Sequence, residues 1–140
     1  MKVLLAVDGS ADTKRMLAYL ATHEDLLGVS PKYVVLNVQP AVPGGAAKFA
    51  GKEMVAAFHQ AEAESVLAPV TKFLDRHDAS YTADFRVGHA AEEILRAAKK
   101  SKVDMIIMGS QGRGSLRTLL LGSVAQKVLS GSEVPVMVVR

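Results

Sequence analysis

Four short, almost continuous apolar runs constrain the fold of this chain more than any other feature. They are VLLAV (Val3–Val7), YVVLNV (Tyr33–Val38), MIIMG (Met105–Gly109) and VPVMVV (Val134–Val139). A strand that is apolar at every position is buried on both faces, as in a parallel sheet covered by helices on each side. A fifth segment, YTADFRV (Tyr81–Val87), alternates instead, with Tyr81, Ala83, Phe85 and Val87 set against Thr82, Asp84 and Arg86. That pattern leaves one face solvated and belongs near a sheet edge.

Helical patterns separate the runs. Asp12 to Leu27 carries Met16, Leu17, Leu20, Ala21 and Leu27, with Ser10 or Asp12 as N-cap. Lys52 to His77 presents Val55, Phe58, Ala61, Val66, Val70, Phe73 and Leu74, and Pro69 is placed to kink or split it. His89 to Ser101 offers Ile94, Leu95 and Ala98; Ser123 to Ser130 offers Val124, Val128 and Leu129. The order β-α-β-α-β-α-β-α-β predicts a doubly wound α/β fold with right-handed crossovers and helices on both faces of a five-stranded parallel sheet. At 140 residues, without repeat or linker, residues 1–140 form one domain. The stretch Gln39–Gly51, rich in Pro, Gly and Ala, reads as an irregular, mobile loop.

Composition narrows the chemistry. The chain has no cysteine, which excludes disulfides, iron–sulfur clusters, thiolate zinc and cysteine nucleophiles, and suits a reducing cytoplasm. An uninterrupted run of only five apolar residues leads to Asp8, too few for a signal-peptide core, and no run reaches membrane-spanning length. A soluble cytoplasmic protein is expected. The net charge of +3 comes from scattered Lys and Arg without stacking aromatics, so no nucleic-acid partner is expected and a small anionic ligand fits as well. His23, His59, His77 and His89 lack metal-ligand spacing and read as surface residues. No serine of the glycine-rich segment has a triad arrangement, so no catalytic residue is assigned. Met105 and Met108 read as core packing.

The chemistry concentrates in MGSQGRGSLRTLLLGSVAQKVL, Met108–Leu129. Gly109 and Gly114 have Walker A spacing, but Ser115-Leu116 stands where Lys-Ser/Thr is needed. Read as G-x-G-x-x-G, Gly112 and Gly114 are followed by Arg117 rather than glycine. Glycines nonetheless let backbone N–H groups approach a ligand, and a helix starting at Ser123 offers N–H groups, a positive dipole end and a hydroxyl. The alternative is that Gly109 and Gly112 only shape a turn and Gly122 is a joint; four glycines and a capping serine in one loop favour the ligand reading.

The spacing Gly109-x2-Gly112-x9-Gly122-Ser123 resembles the G-x2-G-x9-G-[ST] motif of the ATP-binding subgroup of the universal stress protein family. KVLLAVDGS, VGHAAEEIL and GSVAQKVL followed by VPVMVV resemble other segments of that family, with Ala90 where proline is frequent. The resemblance implies a Rossmann-like sheet, akin to adenine-nucleotide α-hydrolases, in the order 3-2-1-4-5, with a ligand crevice where strands one and four end. It implies that Ala6, Val7 and Asp8 line the adenine and ribose region, Val38 contacts adenine, and Met108, Gly109, Gln111 and Gly112 follow the ribose and first phosphates. Gly122, Ser123, Val124 and Ala125 would hold the distal phosphates of ATP, with Mg²⁺ or Mn²⁺ carried by the phosphates rather than by protein ligands. Asp8 has a second reading, as a cap of the first helix through an Asp-Gly-Ser turn. Arg113 and Arg117 are secondary candidates for phosphate neutralisation, and Lys48 and Lys52 could swing over a nucleotide or simply be solvated.

The closing strand, exposed at a sheet edge, would invite pairing that Pro135 blunts at one position only. A two-fold partner would bury it, and the resemblance implies such a homodimer; a monomer with a covered edge is the alternative. The functional expectation is an ATP-binding regulatory protein of the stress response with an unidentified protein partner. A slow ATPase is the alternative, although VDGSADT lacks the paired glycines of the α-hydrolase loop. A receiver-type phosphoacceptor fits poorly, since Val87-Gly88 occupies the site where its aspartate belongs.

Overall fold

A computed structural model of the chain describes residues 1–27, 29–113 and 120–140. The strands are β1 (Lys2–Ala6), β2 (Lys32–Gln39), β3 (Ser80–Val87), β4 (Met105–Gly109) and β5 (Val136–Val139). The helices are α1 (Ala11–Thr22), α2 (Gly44–Ala50), α3 (Lys52–Arg76), α4 (Ala90–Ser101) and α5 (Ser123–Gly131), with a 3₁₀ turn at Glu24–Leu27. All strand pairs are parallel, in the order β3-β2-β1-β4-β5.

The apolar runs are buried on both faces because alternate side chains enter different cores. Val3, Leu5, Val35 and Ile107 pack with Met16, Leu17 and Leu20 of α1 and Val66, Val70 and Leu74 of α3. Leu4, Leu36, Ile106 and Met108 pack with Ala91, Ile94 and Ala97 of α4 and Ala125 and Val128 of α5. Leu4, Leu5, Ile106 and Ile107 are fully buried, which places the centre of both cores on β1 and β4. Burying each such side chain contributes about 1.5–3 kcal/mol.

Several boundaries differ from the sequence reading. The first helix ends at Thr22, where Thr22 Oγ1 donates to the Ala18 and Tyr19 carbonyls and His23 Nδ1 donates to the Tyr19 carbonyl at 2.9 Å. Pro69 does not split α3: the carbonyl that it frees belongs to exposed Ser65, while Val66, Val70 and Leu74 anchor both sides of the proline in one core. The buried stripe of α3 runs through His59, Ala63, Val66, Val70 and Leu74, so Phe58 faces outward. β5 starts at Val136 rather than Val134, because Ser132 Oγ turns the backbone through bonds with the Val134 N–H and carbonyl. Pro135, which has no N–H to give, accepts from the Ile106 N–H at 3.0 Å.

The stretch expected to be irregular contains α2, in which Ala47 N–H donates to the Pro43 carbonyl at 2.8 Å. Ala46, Ala47, Lys48 and Ala50 favour helix, and Gly51, at φ +86°, ends it. No residue of α2 is buried. β3 is an edge strand as its alternation predicted, with Tyr81 and Phe85 half-buried; Ala83 and Val87, expected on the same face, are exposed.

Candidate functional site

β1 lies between β2 and β4, and the chain runs outward from it in both directions. This is a topological switch point, where the loops leaving adjacent carboxyl ends part and open a crevice. A cavity of about 320 Å³ occupies that position. All twelve residues singled out from the sequence line it, from Ala6 on β1 to Ala125 on α5, together with Leu36, Ala90, Ile94, Ser110 and Arg113. Its lining combines apolar side chains, Ala6, Leu36, Val38, Ala90, Ile94 and Met108, with glycine-rich backbone at Gly109–Gly112 and the start of α5.

Two of these glycines stand where a Cβ would be crowded. A Cβ on Gly112 would lie 2.9 Å from Asp8 Oδ2, and one on Gly122 would lie 3.1 Å from the Ser110 carbonyl oxygen. Gly122 N–H donates to that same carbonyl at 2.7 Å, which joins the two glycine-rich ends of the segment. Gly122, not a serine, is the N-cap of α5; Ser123 is the first helical residue, and no side chain among the described residues caps the helix. The positive end of α5 is thus presented next to the cavity, because Ser123, Val124 and Ala125 all line it.

Asp8 shapes the turn into α1 and also borders the cleft. Its Oδ1 accepts the Ser10 N–H at 2.9 Å and the Thr13 hydroxyl at 3.0 Å, while Ser10 Oγ caps α1 by accepting the Thr13 N–H. Gly9, at φ +75°, makes the turn possible. The carboxylate also borders the cavity, with Oδ2 toward Gly112. Among the described lining residues Asp8 is the acidic group and Arg113 the basic one. Arg113 extends across Gly9 and pairs with Glu62 of α3 at 3.4 Å. Gly114 and Arg117 lie outside the described residues. Lys48 and Lys52 are exposed and do not line the cavity.

Two buried polar side chains linked to the cleft escaped the sequence. Asp12 is only 6% exposed and its Oδ2 accepts the Ser110 hydroxyl and the Gln111 N–H, each at 2.9 Å. Burial pushes this carboxyl upward, but the bonds from Gln111, Ser110 and Arg15 outweigh that and hold it below the ordinary carboxylate value. The available signal was the pair of N-cap candidates: Ser10 takes the cap, which leaves Asp12 to bond elsewhere. His59, expected on the surface, is buried; its Nδ1 donates to Gln39 Oε1 at 2.7 Å. Gln39 Nε2 donates to Asn37 Oδ1, and Asn37 Nδ2 donates to the Val7 carbonyl at 3.0 Å, so this buried chain of amides ends at the cavity rim. Among the described residues no three acidic, histidine or cysteine side chains gather as a metal site.

Comparison with known proteins settles the family. The model of the universal stress protein family matches residues 1–140. The chain belongs to the universal stress protein family. A universal stress protein of Thermus aquaticus is 32% identical over 139 residues, covering 99% of this chain and 97% of its own. A universal stress protein of Synechocystis is 30% identical over the same share of this chain, which spans 42% of that relative's length. The chain likewise spans 52% of the Methanocaldococcus jannaschii universal stress protein MJ0531, at 33% identity over 63% of this chain. Among solved structures, MJ0577 superposes with a TM-score of 0.79 at 26% identity, covering 99% of this chain and 94% of that one. An Arabidopsis thaliana family member with AMP bound superposes at 0.71 and 19% identity, covering 99% and 90%. An Archaeoglobus fulgidus member in complex with dAMP superposes at 0.65 and 23% identity, covering 100% and 98%. The sheet order and its flanking helices are those of this family.

Proposed function

We propose that this universal stress protein binds ATP in the cleft at the ends of β1 and β4, and that nucleotide occupancy regulates its association with partners in a cytoplasmic stress response. The observation that carries the reading is the make-up of the cleft lining, which combines apolar side chains with glycine-rich backbone at the start of α5. An adenine ring suits the apolar side chains of Val38, Leu36 and Ile94. The phosphates suit the Gly109–Gly112 turn and the α5 N-terminus, where backbone dipoles take the place of a P-loop lysine. That family members in solved structures hold AMP and dAMP supports an adenine nucleotide.

A divalent cation, Mg²⁺ or Mn²⁺, would accompany the phosphates and neutralise their charge. The site fits such an ion in one respect: Asp8, the acidic lining residue, leaves Oδ2 toward Gly112. Holding is favoured over hydrolysis. No histidine lines the cleft among the described residues, and Asp8, its acidic group, has Oδ1 engaged by two hydrogen bonds and Oδ2 placed for the cation, which leaves no described side chain as a general base. β5 forms a sheet edge with Val136, Met137 and Val138 half-buried, a surface suited to a two-fold partner strand.

Thermal melting with and without millimolar ATP and Mg²⁺ tests the reading, and an unmoved midpoint refutes it. Measurement of ADP release over hours separates a binder from a slow ATPase. Sedimentation with and without nucleotide reads the dimer.

A further inference from the structure

We infer that Asp12, which does not line the cleft, is the positioning residue of its phosphate end: its carboxylate holds the Ser110–Gln111 turn. The inference rests on the nucleotide reading above and deepens it. Ser110, Gln111 and Gly112 border the cleft and also a second cavity of about 330 Å³ that contacts Asp12, Arg15 and Arg140. A turn bordered by two cavities has fewer packing contacts to hold it, so directed bonds weigh more in fixing its shape.

Asp12 supplies such bonds through a single oxygen. Oδ2 takes both the Ser110 hydroxyl and the Gln111 N–H, while Oδ1 faces the Arg15 guanidinium, so the carboxylate is oriented from both ends. A separate observation points the same way. A Cβ on Gly109 would lie 2.5 Å from the Asp12 Cβ, so the first glycine of the motif is what admits Asp12 to this position. Ser110 passes the constraint onward: its N–H donates to the Val139 carbonyl at 2.9 Å and its carbonyl receives the Gly122 N–H at 2.7 Å. One buried carboxylate thus sets the turn that joins α1, β4, β5 and the start of α5. The low proton affinity of Asp12 agrees with a carboxylate stabilised in its charged form.

The test compares wild type, Asp12→Asn and Asp12→Ala by calorimetric titration with Mg²⁺-ATP and with adenosine, which lacks phosphates. Loss of charge-assisted bonds predicts an ATP dissociation constant raised about tenfold or more in Asp12→Ala, with adenosine affinity unchanged. Asp12→Asn retains an acceptor oxygen and falls between the two, which serves as the rescue and as the usable variant if alanine prevents folding. Equal losses for ATP and adenosine would mean general structural damage and overturn the inference, as would wild-type ATP affinity in both variants. Wild type that binds neither ligand removes the nucleotide reading itself, and this inference with it.

Discussion

Gly122→Val isolates the join between the two glycine-rich ends. Gly122 has φ −72° and ψ 162°, an extended conformation open to any residue, so backbone strain is not the issue. The obstacle is space. The new Cβ would meet the Ser110 carbonyl oxygen at 3.1 Å and Gln111 Cα at 3.4 Å, and these backbone atoms cannot rotate away as a side chain could. Valine's two methyl groups add to the conflict, so α5 must move off the turn and the 2.7 Å bond from Gly122 N–H to Ser110 is lost. Overpacking of this kind costs about 1–3 kcal/mol. At about 2–4 °C per kcal/mol, the melting midpoint falls by about 2–12 °C. Wild type with ATP at a hundred times its dissociation constant gains about 2.7 kcal/mol, a rise of roughly 5–10 °C. The assay is differential scanning fluorimetry with and without Mg²⁺-ATP. The variant should remain folded and lose the ATP-dependent rise; Gly122→Ala, with one carbon, should lose part of it. A variant that melts lower yet keeps the full wild-type rise refutes the claim that this join forms the phosphate site.

Three further outcomes follow from other parts of the molecule. Because the folded-state Asp12 carboxyl sits below 3.8, its stabilisation is complete above that value and is lost as pH falls through the lower folded value. Acid melting curves of wild type and Asp12→Asn should therefore converge in that window, and a constant gap across it would contradict the assignment. Leu74→Ala, at a side chain 1% exposed between α3 and the sheet, should cost about 2–5 kcal/mol in urea unfolding without changing ATP affinity at temperatures where the protein is folded. Gln39→Leu should cost about 1–3 kcal/mol for each buried group left without a partner, namely His59 Nδ1 and Asn37 Oδ1, again read by urea unfolding.

The strands were legible because local pattern encodes them, whereas their order and the cleft followed from the resemblance that the glycine spacing carries. Continuous runs such as VLLAV fit only a doubly covered sheet, and the glycine spacing from Gly109 to Gly122 survives in the cavity lining. What escaped depends on contacts between distant segments. Asp12 lies 98 residues from Ser110, and nothing near it in sequence announces that partner. His59 is buried because Gln39, twenty residues earlier, satisfies it; the first half of the buried stripe of α3 therefore passes through His59 and Ala63 rather than Phe58 and Ala61, while Val66, Val70 and Leu74 stand as expected. Pro69 misled for a related reason, since tertiary packing of Val66, Val70 and Leu74 outweighs one missing helical hydrogen bond.

The α2 excursion has a practical consequence. It follows β2 directly, holds no buried residue, and carries Phe49 at 95% exposure. Lengthening a flexible surface connection costs only about 0.6 kcal/mol for each doubling of its length. The excursion is therefore a natural port for grafting: an inserted peptide tag or reporter domain there would leave both cores intact while sitting on the connection that begins two residues beyond Val38 of the cleft.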